Sequence, residues 1–208
     1  MTNPVSASPV QPRHRATYLF IPLVALLLTS PALAGGDVNF TYDWRSLQDD
    51  SWEPVDDQEA LGLAVNFGAQ SWPINIAVGY SESSDKATRV SIPLLGDVDQ
   101  KGELSEWSLG LQKTWNLKSP ARPFVGGGLT RIDAKTTFDS ALGDTDDSDS
   151  STGVYIDGGL MFRLAGSLNL GIHGRLVEGT DITLFDVDGD SDYYEFGFLV
   201  GFGWPARK

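Results

Sequence analysis

The sequence predicts an all-β chain, an eight-stranded antiparallel up-and-down transmembrane β-barrel, on three observations. Eight short segments alternate large apolar with small or polar residues, the period of two that a pleated strand imposes. The connections between them alternate short and long. Tryptophans and tyrosines gather at the two ends of the segments.

The segments follow in chain order. VNFTYDW sets Val38, Phe40, Tyr42 and Trp44 against Asn39, Thr41 and Asp43. LGLAVNF sets Leu61, Leu63, Val65 and Phe67 against Gly62, Ala64 and Asn66. INIAVGY sets Ile74, Ile76, Val78 and Tyr80 against Asn75, Ala77 and Gly79. WSLGLQKTW sets Trp107, Leu109, Leu111 and Trp115 against Ser108, Gly110, Gln112 and Thr114. PFVGGGLTRID is the least regular, because three successive glycines blur a face that Val125 and Leu129 define. VYIDGGLMFRL sets Val154, Ile156, Leu160, Phe162 and Leu164 against Tyr155, Asp157, Gly159, Met161 and Arg163. LNLGIHGRL sets Leu168, Leu170, Ile172 and Leu176 against Asn169, Gly171, His173 and Arg175. The last, YYEFGFLVGFGW, is an aromatic ridge of Tyr194, Phe196, Phe198, Val200, Phe202 and Trp204 over Glu195, Gly197, Gly201 and Gly203. Alternation sustained in this way is a strand signal and not a helical one.

Short turns (AQSWP, NLKSPAR, AGS) join segments two to three, four to five and six to seven. Long polar connections, which the sequence reads as loops, join the others over 45–60, 81–106, 134–153 and 177–192. Bacterial outer-membrane barrels sort their connections by parity, with turns in the periplasm and loops outside, whereas a soluble sandwich has no reason to. The small polar face suits the narrow interior of eight strands, and the large apolar face suits lipid. Trp72, Trp115 and Trp204 fall at the short-turn end, and Trp44, Tyr80 and Trp107 at the long-loop end. These are the two girdles that amphipathic rings form at membrane interfaces. Trp107 and Trp115 are eight residues apart, about 21 Å of height at ~3.4 Å per residue and a tilt near 40°. Lys113 falls on the lipid face and calls for snorkelling or a bulge. The competing fold is a soluble periplasmic ligand-binding barrel, with the aromatic face turned inward as a core.

Residues 1–34 carry the marks of a cleaved secretory signal, and 35–208 those of the barrel domain. Arg13, His14 and Arg15 precede an apolar run from Tyr18 to Leu28, and Ala32, Leu33 and Ala34 supply the small-x-small cleavage pattern. The run is shorter than the ~20 residues a spanning helix needs. Cleavage removes two of 15 basic residues and none of 28 acidic ones, leaving a net charge of −15. Such a surface repels nucleic acid. The absence of cysteine excludes a disulfide scaffold and thiolate-ligated metal sites.

With these features the chain resembles the small eight-stranded outer-membrane proteins, the group of the OmpA barrel domain, OmpX and OmpW. The resemblance is architectural and spans essentially all of 35–208. It implies a place in the outer membrane of a Gram-negative bacterium, among lipid and lipopolysaccharide. It also implies a last strand read by the barrel assembly machinery; a monomer without a cofactor or enzymatic activity is the expectation, although some eight-stranded barrels are lipid A-modifying enzymes. Phe196, Phe198, Val200, Phe202 and Trp204 match that assembly pattern, with the departure that Pro205, Ala206, Arg207 and Lys208 follow the terminal aromatic.

Asp43, Arg45, Asp157, Arg163, His173, Arg175 and Glu195 fall on the inner face. Buried charges must be paired, so an ionic network filling the lumen is the simplest reading. A narrow channel for small or hydrophobic solutes, of the OmpW kind, is the functional alternative. His173 has no serine at a plausible spacing on its own strand, although Ser108 and Glu195 could approach it, and it reads as an interior histidine rather than a catalytic base. Asp144, Asp146, Asp147 and Asp149 form one acidic cluster, and Asp186, Asp188, Asp190 and Asp192 a second. The second is a candidate weak Ca²⁺ site, although it lacks the EF-hand spacing and its closing glutamate.

Overall fold

An extended chain in hydrocarbon needs a backbone partner on both sides, because no water is present to take its N–H and C=O groups. The computed structural model meets this requirement by closure. It describes residues 34–69, 71–92, 96–140 and 143–204. The leader expected over 1–34 lies outside these residues except for Ala34, as does the tail from Pro205. The barrel strands are β1 (Ala34–Leu47), β2 (Asp57–Ala69), β3 (Asn75–Ile92), β4 (Gly96–Thr114), β5 (Ala121–Ser140), β6 (Gly143–Leu164), β7 (Leu168–Glu178) and β10 (Tyr193–Trp204). A small hairpin, β8 (Asp181–Leu184) with β9 (Val187–Asp190), stands apart between β7 and β10. All barrel neighbours are antiparallel, and β10 closes the ring: Phe202 lies opposite Leu168 on one side and Val38 on the other.

The faces fall as the alternation predicts. Phe40, Leu61, Leu109, Leu129, Ile156, Phe198 and Phe202 are each more than half exposed, while Asn39, Asp43, Asn66, Ser108, Gln112 and Asn169 between them are buried. Lys113 keeps its place on the outer face without a bulge, its Nζ donating to the Pro73 carbonyl at 2.5 Å in the neighbouring turn. The turn from Leu164 to Ser167 takes positive φ at both Ala165 and Gly166, and the Ser167 amide donates back to the Leu164 carbonyl. This is the primed geometry whose twist matches a hairpin.

Two of the expected loops are strands. β3 and β4 stay paired up to Ile92 opposite Gly96, and β5 and β6 up to Ser140 opposite Gly143. Beyond the apolar band the hydrophobic phase reverses. Outward positions turn polar, as at Glu103, Ser105, Arg131 and Asp133, while inward positions turn apolar, as at Leu104, Ile132 and Ala134. The ladder thus continues out of the membrane as a water-soluble barrel. Its core joins Leu104 and Ile132 to Leu47, Trp52, Val55, Val177, Ile182 and Tyr193. Trp52, from a 3-10 turn at Asp50–Trp52, is buried there, and its indole N–H donates to the Asp190 carbonyl at 2.8 Å.

Acidic side chains hold the β8–β9 hairpin against β6. The Asp149 carboxylate accepts the Thr183 amide at 2.8 Å, and Asp147 accepts the Phe185 amide at 2.7 Å. Phe185 packs on Phe138 of β5, ring centres 5.3 Å apart. The Thr183 amide, aided by that of Ser150, holds Asp149 below the ordinary aspartate value of 3.8. A depressed carboxylate stabilises docking above its unfolded pKa and loses that contribution as pH falls through the folded one. We therefore expect the Thr183 amide resonance and the Phe138–Phe185 contact to titrate together below pH 3.8, ahead of any change at the Leu170 amide. A Thr183 resonance that stays put while the Phe138–Phe185 contact is lost on acidification, as read by NMR, would refute this coupling.

Candidate functional site

The inner faces of the strands converge on two polar layers. The upper layer is built on β10, half of whose inward residues are glycine, so side chains of its two neighbours meet across it. Arg45, Glu195 and Arg175 lie on one rung, and Asp43, Gly197 and His173 on the next. Arg45 donates to Glu195 through Nε at 3.0 Å and Nη2 at 2.8 Å, and reaches Ser81, Ser83 and Glu106 through its remaining N–H groups. Glu106 accepts from both arginines, from the Thr130 hydroxyl at 2.6 Å and from the Tyr193 hydroxyl. Each guanidinium stacks 3.9 Å from an aromatic ring centre, Arg45 on Tyr193 and Arg175 on Tyr155. The stacking fixes the orientation of two planar cations that burial would otherwise leave costly.

Gly197 explains the next rung. The His173 Nε2 lies 2.8 Å from Asp43 Oδ1 directly across it, and a β-carbon at 197 would overlap that oxygen. Asp157 stands beside this pair and under the charge of Arg175 and His173, but its Oδ1 has no hydrogen-bond partner among the described residues. A cavity of about 70 Å³ lined by Asp157, His173, Ser108 and Gln112 adjoins it, with room for about two waters at ~30 Å³ each. Beneath, Phe124, Met161 and Leu199 form a small apolar layer inside the lumen.

The lower layer is made of amides. Across Gly201 the Asn169 side chain donates to Asn39 at 2.9 Å, and Asn39 and Asn66 both donate to Asp37. Arg163 belongs here and not to the upper cluster: it donates to Asn169 at 2.8 Å and lies 3.7 Å from Asp37.

Of the seven lumen residues expected from sequence, Asp43, Arg45, His173, Arg175 and Glu195 thus share the upper layer, with Asp157 beside it and Arg163 apart. Glu106, Tyr193, Thr130 and Asp37 were missed. Glu106 has the parity of Ser108, Gly110 and Gln112, so extending that strand by one residue would have found it. Ser108 makes no hydrogen bond to His173, whose partner is the Asp43 carboxylate. The second aspartate cluster is divided. Asp192 accepts from the Gly179 and Thr180 amides and the Thr180 hydroxyl, Asp188 from the Thr183 hydroxyl, and Asp186 sits in the hairpin turn at φ 60°. Among the described residues no three His, Asp or Glu side chains are placed to hold a metal ion. Trp44, Trp72 and Trp115 stand about half exposed, Tyr80 packs on Trp107 with ring centres 4.7 Å apart, and Trp204 lies partly exposed at the turn end. The ridge of Phe196, Phe198, Val200 and Phe202 is fully outward.

A closed antiparallel barrel with an apolar outer band, aromatic ends and a polar, tightly filled interior is an integral membrane β-barrel. The model of the outer membrane protein beta-barrel domain matches residues 20–205, and the chain belongs to that family. No curated protein matches it in sequence. Among solved structures it is similar in fold to Ail, the attachment invasion locus protein of Yersinia pestis, in complex with the heparin analogue sucrose octasulfate. The identity is 12%, the TM-score 0.57, and the match covers 83% of this chain and 99% of that one. A major outer membrane protein of Thermus thermophilus is similar at 10% identity and TM-score 0.56, over 82% of this chain and 99% of its own. OprG of Pseudomonas aeruginosa is similar at 15% identity and TM-score 0.50, over 85% and 99%.

Proposed function

We propose that this is a monomeric, non-enzymatic outer-membrane protein of a Gram-negative bacterium, exported by its leader, whose work lies at the cell surface rather than in transport. One observation carries the reading: the lumen is filled at two levels. The Arg45–Glu195–Glu106–Arg175 layer occupies its middle, and the core around Trp52, Leu104 and Ile132 occupies its outer mouth. The short turns face the periplasm and the long hairpins face outward, beside lipopolysaccharide. The exposed aromatic ridge of β10 supplies the pattern for the barrel assembly machinery. The outer hairpins carry an excess of acid, with ten Asp and Glu against four Lys and Arg over residues 81–105 and 134–153. Such a surface disfavours sulfated sugars like the one bound to Ail and favours cationic partners. The test is conductance: liposome-reconstituted protein, shown to be folded by its gel shift before boiling, is fused to a planar bilayer in concentrated KCl. We expect no discrete current steps. Reproducible steps from the wild-type barrel would replace this reading with the channel.

A further inference from the structure

At the turn end of the lumen, below the amide layer, two arginines share one carboxylate. Arg122 on β5 and Arg163 on β6 both face inward. Arg122 lies opposite Met161, two residues from Arg163, so the two are diagonal neighbours, ~7–8 Å apart at the backbone. Arg122 donates through Nε to the Ser119 carbonyl at 3.1 Å, and Arg163 through Nε to Asn169. The terminal nitrogens are poorly matched. Arg163 Nη2 has Asp37 at 3.7 Å, and those of Arg122 make no hydrogen bond among the described residues. Asp37 already accepts two asparagine amides on Oδ1. The two cations also repel each other. They open onto a vestibule of about 310 Å³ with glycines 35 and 68 in its wall and the indoles of Trp72 and Trp204 at its rim. The missing side chain of Gly203 is what gives the Arg163 guanidinium room to lie there.

Such a vestibule, in a chain that is otherwise strongly acidic, is a local excess of guanidinium donors over the acceptors that the described residues offer them. A guanidinium fork matches the paired oxygens of a phosphate. The rim indoles place the vestibule at the depth of phospholipid headgroups. We propose that Arg122 and Arg163 bind a phosphate group here, either that of an anionic inner-leaflet phospholipid headgroup or free inorganic phosphate. This goes beyond the surface role proposed above and does not depend on whether the lumen conducts.

The experiment uses the barrel folded in a phosphate-free maltoside detergent. It is titrated separately with dihexanoylphosphatidylglycerol and with inorganic phosphate, and followed by calorimetry. Saturable binding of the lipid is expected, weakened about tenfold by Arg122→Gln or Arg163→Gln, as loss of a charge-assisted hydrogen bond predicts, and abolished by both together. Binding of the lipid alone identifies the headgroup as the ligand, and equal binding of inorganic phosphate identifies the free anion. Arg122→Lys keeps the charge but loses the fork, and should bind more weakly than wild type while showing the same gel shift. It also serves as the test if the double variant does not fold. No saturable binding of either probe, or binding that both single variants retain in full, overturns the proposal.

Discussion

Replacing Glu106 by alanine lowers the stability of the folded barrel by about 3–5 kcal/mol, because it leaves two buried guanidinium groups without their shared acceptor. The expectation rests on the convergence at this carboxylate: Arg45, Arg175, Thr130 and Tyr193 all donate to it. Bulk solvent screens the loss little, since Arg45 and Glu106 are almost completely buried. Removing a charge partner exposes the desolvation cost that the pair had offset, which is why the loss exceeds the net worth of the ion pair itself. A second variant sharpens the test. Glu106→Ala combined with Arg175→Met removes one orphaned cation, so the double change should cost less than the two single changes added together. Urea titration in phospholipid vesicles, followed by the shift on unboiled gels, measures both. A loss below about 1 kcal/mol for the single variant would mean that Glu195 alone can hold the two arginines.

Replacing Trp52 by alanine destabilises the outer core by about 3–5 kcal/mol, the range for truncating a large buried aromatic. Here the effect is local. Trp52 ties the first connection to the last through its bond to Asp190, and its packing lies in the outer core, away from the strands within the membrane. The expected result is rapid nicking by proteinase K between residues 48 and 56. Its rate should rise at least about a hundredfold, since each ~1.4 kcal/mol changes the open population tenfold. The gel shift of the barrel should persist. Nicking at the wild-type rate would show that the outer core holds without the indole.

The membrane-embedded part was legible because lipid imposes one rule on every strand. With apolar solvent outside and a narrow polar space within, Phe40, Leu109 and Phe198 must face out, and Asn39, Ser108 and Asn169 must face in, whatever their neighbours are. The sites inside were legible only as a set of residues facing inward. Partnership depends on which strands lie side by side and at what stagger. His173 and Asp43 are 130 positions apart and meet only because Gly197 separates them on the closing strand. Glu106 was missed because its strand was ended at Trp107, where the outer face changes character. There the alternation does not stop but reverses, and a reversal of phase reads in one chain as the end of a strand.

The sequence by itself determined the barrel class, the eight strands, the inward and outward faces and the aromatic ends, since these follow from a period of two and from solvent preference residue by residue. Only the tertiary structure decided that the long hairpins rise as paired strands over an apolar core. The backbone ladder there is satisfied by a neighbouring strand, and the residues that fill that core come from connections distant in sequence. The separation of the buried charges into an upper layer around Glu106 and a lower one at Arg163 was likewise decided in three dimensions. Which carboxylate an arginine reaches is set by the closure and register of the barrel and not by its place along a strand.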